Sequence, residues 1–132
     1  MNHQLKIIVL WLLLVLGITL HAVLENSAAI YYAPLPEEPY GESIPMMMHV
    51  IYIMAMVLPM LFVLLTLFIT SRAFKIVSLV LASLLALLHV FHALEEGGLE
   101  NVTQLLILSF TASASVVLVV ALVKWLRAKP AI

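Results

Sequence analysis

The sequence predicts an all-α polytopic membrane protein, an up-down bundle of four transmembrane helices. Three observations carry that prediction. Hydrophobic residues make up 65% of the 132 residues and charged residues only 10%, against roughly half and a quarter in a soluble domain. Four apolar stretches are each near or above the ~20 residues that cross a bilayer core. The charges are sorted by sign along the chain. At this length the chain is expected to be a single membrane domain, residues 1–132.

The spans are read in order as Leu5–Leu24, Ile44–Thr70, Ala73–Leu94 and Val102–Leu126. None alternates apolar and polar residues as a strand would. A backbone in lipid must satisfy its own hydrogen bonds, so all four are expected to be helices. The first follows a basic start and precedes "NSAA", the outline of a secretory signal. Its apolar run exceeds the usual ~7–15 residues, so it reads as a true span. Pro59 falls inside the second span and should kink it. The third ends in "HALEEGG". The fourth opens at Asn101, an expected N-cap with Gln104 in the reciprocal capping-box position, and carries "SFTASAS", small residues suited to a packing seam.

The connections follow. "TSRAFK" joins spans two and three and "GGLEN", 97–101, joins three and four. Such tight joints place sequence neighbours side by side and antiparallel. Gly97 is expected to close the third helix as a C-cap. The longer loop, 26–43, contains "YYAPLPEEPY", a proline-stiffened linker or lid.

With this topology Lys6, Arg72, Lys75, Lys124, Arg127 and Lys129 all lie on one side. Glu25, Glu37, Glu38, Glu42, Glu95, Glu96 and Glu100 all lie on the other. Lysine and arginine stay with cytoplasmic loops, so both termini are expected to be cytoplasmic and the acidic loops external. A plasma membrane, the inner membrane in a bacterium, fits this pattern. The bilayer is the expected partner, with a second membrane protein or another copy also open; nucleic acid is not expected.

There is no cysteine, which excludes disulfides, thiolate metal sites and thiol chemistry. Histidine is the informative residue. His21, His49, His89 and His92 fall in the outer half of three different spans. His21 lies fifteen residues beyond Lys6 and His89 fourteen beyond Lys75, or roughly 22 and 21 Å at 1.5 Å per residue. His92 and His49 lie a little further out. His21 and Glu25 share a helix face; His89, His92 and Glu96 line one stripe bordered by Glu95. Ionisable groups within spans face the bundle interior and mark a function.

Imidazole and carboxylate together favour Zn, Fe or Mn. The expected metal ligands are His21, Glu25, His49, His89, His92, Glu95 and Glu96. Met46, Met47 and Met48 beside His49 keep copper in play. A haem b held by His21 and His89 is a second cofactor reading, although haem needs room, small residues to line its pocket are not obvious near either histidine, and haem alone leaves the glutamates unexplained. Below the histidines the first and third spans offer only Thr19, Ser83 and Ser78. A polar path through a single copy is therefore not expected. A metal with an open position would support hydrolysis or carriage, and no nucleophilic serine or lysine stands beside the histidines. The competing expectation is an accessory subunit of a larger membrane complex, without catalysis.

His92-Ala93-Leu94-Glu95-Glu96 resembles the signature of the HXXEE family of bacterial integral membrane proteins. The resemblance implies a metal-linked role for His92, Glu95 and Glu96. There is also an internal echo: "HAVLEN" closes span one and "HALEEGG" closes span three. A duplicated two-span unit would supply matching ligands from these two helices.

Overall fold

The structure, a computed structural model, describes residues 2–32, 46–96 and 101–128. It consists of helices: α1 His3–Tyr32, α2 Met46–Tyr52, a π-helical turn Ile53–Val57, α3 Leu58–Phe68, α4 Arg72–Glu96 and α5 Val102–Arg127. Four helical spans are long and apolar enough to cross a membrane, the second being assembled from α2, the π turn and α3. The chain is a multi-pass, all-α membrane protein.

Helix α1 continues to Tyr32, past the Leu24 boundary expected from apolarity. Asn26, Ser27 and Glu25 are polar without being helix breakers, and a helix leaving the bilayer needs no apolar face. Most of the long loop and Gly97, with their expected lid and C-cap roles, lie outside the described residues.

Helix α5 is the centre of the packing. It packs along both α1 and α4, while α3 packs against α1. The α3–α4 pair, though joined by the short turn, makes no comparably extended interface. The two helices do touch near that turn, where Phe62 and Phe74 stack at 5.6 Å between centroids.

The buried stripes have heptad spacing. On α5 the stripe runs Gln104, Leu108, Thr111, Ser115, Leu118, Leu122, Trp125. On α1 it runs Ile7, Trp11, Leu14, Gly17, His21. On α4 it runs Ser78, Ala82, Leu85. Steps of three and four keep one face turned to a neighbour along a helix pair. Lipid tails are as apolar as leucine, so association rests on close packing instead of solvent exclusion. Gly17 meets that requirement at one point. A Cβ there would collide with Thr111 Oγ1, so glycine lets α1 and α5 approach.

The basic end is tied by aromatic and polar contacts. Trp11 meets Phe62 at 5.6 Å, and Phe74 meets Trp125 edge-on at 6.4 Å. Lys75 Nζ donates to the Trp125 carbonyl at 3.3 Å and sits 4.6 Å from its ring centroid. Gln4 donates to the carbonyls of Thr66 and Leu67, which pair α1 with the last turn of α3.

The expected kink at Pro59 takes a specific form. Proline has no N–H, and its ring clashes with the carbonyl four residues earlier. The chain absorbs this by widening the preceding turn, with Leu58 N–H bonding to Ile53 C=O, five residues back. The π-helix is rare and occurs mostly as such single turns within α-helices.

Candidate metal centre

The three inward stripes change character toward the acidic end. On α1, Leu14 and Gly17 give way to His21. On α4, Leu85 gives way to His89, His92 and Glu96, which extend the same heptad steps. On α5, Leu108 gives way to Gln104. Because α5 runs antiparallel to the other two, its first turn meets the last turn of α4 and the level of His21 on α1, about three turns before that helix ends. Polar groups from three helices thus gather at one level.

His21 is the hub. It is buried, with 8% of its surface exposed. Its Nε2 lies 2.9 Å from His92 Nε2, and the rings meet edge-on with centroids 4.8 Å apart. Glu96 Oε2 stands 3.6 Å from His21 Nε2 and 3.5 Å from His92 Nε2. One donor atom each from His21, His92 and Glu96 therefore falls within a single 4.8 Å group. The His21 ring also presents Nδ1 to Gln104 Nε2 at 2.6 Å.

These separations can be compared with those of donors on a shared ion. Two donors bound at about 2.0–2.2 Å stand roughly 3 Å apart at a right angle and roughly 3.4 Å apart at the tetrahedral angle. The 2.9 Å separation matches the right angle, and 3.5 and 3.6 Å lie just beyond the tetrahedral value. Two histidines and one carboxylate is a donor set found in hydrolytic zinc sites and non-haem iron sites, and it leaves coordination positions open.

The other expected ligands are distributed more widely. Glu25 Oε2 stands 3.6 Å from His21 Nε2, but its side chain is over half exposed and it is not in the tight group. Glu95 is exposed beside Glu96. His89 is half-buried one turn below His92, and its buried Nδ1 has no hydrogen-bond partner. His49 is exposed on α2, as are Met46 and Met47. The outer part of span two does not bring those residues into the group.

One expectation needs correction. His21 was expected to lie level with His89 and instead meets His92. His92 is seventeen residues beyond Lys75, so the two lysines differ in depth by about 3 Å at 1.5 Å per residue, well within a lysine's reach. The haem reading placed a macrocycle between His21 and His89. His21 Nε2 instead faces His92 at 2.9 Å, with one oxygen each of Glu25 and Glu96 at 3.6 Å.

Gln104 is the residue that sequence reasoning missed. Asn101 does cap α5, its Oδ1 accepting from Gln104 N–H at 3.1 Å. The Gln104 side chain does not complete the capping box. It is buried and turned to His21, and its Oε1 has no partner. The available signal was a long amide in the first turn of a span, level with histidines on neighbouring helices.

Below the cluster, hydroxyls on the stripes are spent on their own helices. Thr111 donates to Ile107 C=O, Ser115 to Ala112 C=O and Thr66 to Phe62 C=O. Among the described residues no chain of polar contacts leads from His21 to the basic end.

The site thus belongs to a multi-pass helical membrane protein with a His-His-Glu cluster at one end of its bundle. Comparisons with protein-family models, with curated proteins and with solved structures gave no match.

Proposed function

We propose that this protein binds one transition-metal ion, zinc, iron or manganese, through His21, His92 and Glu96 at the extracytoplasmic end of the bundle. The observation that carries the reading is the convergence of His21 Nε2, His92 Nε2 and Glu96 Oε2 from two helices into one 4.8 Å group. The internal echo supports it, since His21 and His92 are the residues that "HAVLEN" and "HALEEGG" place in register. The resemblance to the HXXEE family points the same way for His92 and Glu96. Copper is less favoured, because the exposed Met46 and Met47 lie away from the cluster and nitrogen and oxygen donors suit harder ions.

The proton inventory of the cluster gives Gln104 a role. A hydrogen bond across the 2.9 Å His21–His92 contact uses one N–H. A metal held by both Nε2 atoms needs both lone pairs, so that proton moves to the other nitrogen of its ring. In His21 this is Nδ1, which faces Gln104. Turning the carboxamide over offers Oε1, otherwise unpartnered, to accept Nδ1–H. A ligating histidine is commonly oriented by such an acceptor. Glu25, exposed and 3.6 Å from His21 Nε2, would be the base for a water activated by such an ion, so hydrolysis as well as simple binding would be open to the site. Carriage through a single copy is disfavoured by the dry half of the bundle.

The test is metal analysis of protein purified without a nickel column. About one equivalent of Zn, Fe or Mn is expected, lost in His92→Ala and strongly reduced in Glu96→Gln. Protein that folds, takes up no metal on dialysis against these ions and copurifies with other subunits would replace this reading with the accessory-subunit one.

A further inference from the structure

A second feature lies at the opposite end of the molecule. Near the basic end, an open cavity of about 340 Å³ is lined by residues of α1 and α5. Its apolar wall includes Val9, Val117 and Ala121, and its polar rim consists of His3, Lys6 and Lys124. Lys6 and Lys124 come from different helices and are both exposed.

Among the described residues these two ammonium groups have no counter-charge. Neither forms an ion pair or side-chain hydrogen bond among the described residues, whereas Lys75 is engaged by Trp125. All seven carboxylate side chains are glutamates that the topology assigns to the far side of the bilayer. Two cations sharing one rim repel each other unless an anion lies between them. The wall below them faces hydrocarbon. A ligand matching both parts has an anionic head and an apolar tail.

We propose that this groove is a binding site for an anionic glycerophospholipid. Its phosphodiester lies between Lys6 and Lys124, and an acyl chain runs along Val9, Val117 and Ala121. Basic pockets between transmembrane helices at the cytoplasmic face are suited to such headgroups. The site is independent of the metal cluster, which lies at the other end of α1 and α5.

The experiment follows the thermal midpoint of the purified full chain in neutral detergent. Phosphatidylglycerol, phosphatidylcholine and inorganic phosphate are added in separate titrations. Binding to the folded state raises the midpoint by mass action, here by about a few degrees for phosphatidylglycerol at saturation. Phosphatidylcholine and inorganic phosphate should give little change. The Lys6→Gln/Lys124→Gln variant should lose the response, and Arg72→Gln/Arg127→Gln should keep it. Native mass spectrometry of the unmodified chain should show one retained anionic lipid. An equal shift with phosphatidylcholine overturns the proposal, as does a shift reproduced by inorganic phosphate. Equal loss in both double variants would assign the effect to diffuse surface charge and also overturn it.

Discussion

His21 is the one residue whose two ring nitrogens both have close partners on other helices, His92 on α4 and Gln104 on α5. Its tautomer is therefore set by its neighbours. If Gln104 orients it for metal, removing the acceptor should weaken binding even though Gln104 touches no metal. Gln104→Leu keeps the approximate volume and should cost roughly 10–100-fold in metal affinity, the usual effect of losing an outer-shell partner. Gln104→Glu keeps an acceptor and should hold affinity near the starting value. Competition with a colorimetric chelator measures both; a purely packing role would leave the Leu variant unharmed. The legibility of the site follows from the same geometry. His21, His92 and Glu96 could be nominated from sequence, because helical spacing fixes faces and charge sorting fixes depth. Gln104 could not, because Asn101 three residues earlier offered its side chain a complete local explanation. His49 was nominated by depth alone, and depth does not fix how a kinked helix is turned.

Among the elements, α1 and α5 decide the register of the cluster. Their approach at Gly17 and Thr111 sits one turn from His21 and two turns from Gln104. Gly17→Ala should force the helices apart there, destabilising the fold by about 1–3 kcal/mol, as overpacking does. Unfolding in mixed micelles would measure this, and adding Thr111→Ala should recover most of the loss by removing the colliding oxygen. The broken second span gives another prediction. With Pro59→Ala the clash that favours the π turn is gone, and Ile53–Val57 can close to regular α-helix. Taking one residue out of a wide turn rotates Met46–Tyr52 by about 100° at 3.6 residues per turn. A thiol label at His49→Cys should then change its lipid or water exposure, while an unchanged pattern would show that packing against α1 holds the π turn in place. The four spans were legible because apolarity and length almost suffice to define a transmembrane helix. The order in which they pack was less so. Short connections suggested four successive neighbours, whereas small residues on α1, α4 and α5 place α5 between the other two, a choice made by side-chain fit.

At the scale of the whole molecule, polarity is arranged along the bilayer normal. The basic end is closed by Trp11, Phe62, Phe74 and Trp125, and the middle by Leu14, Leu85, Leu108 and Leu118. The acidic end holds His21, His92 and Glu96, with Glu96 exposed and Glu25 exposed beside it. An ion reaching His21 from the acidic side passes glutamates that attract it. From the basic side it would meet cations and then a packed apolar layer, where an isolated charge is very costly to bury. The centre should therefore exchange with only one aqueous phase. Metal-loaded protein reconstituted into vesicles of known orientation allows a direct measurement. A membrane-impermeant chelator facing the acidic end should strip the ion, and the same chelator sealed against the basic end should leave it bound over the same interval. Dissolving the vesicles in detergent should then release the protected fraction, showing that the barrier was access and not affinity. Loss at equal rates from both faces would mean that the bundle opens through its apolar layer, and the centre would have to be reconsidered as part of a transport path.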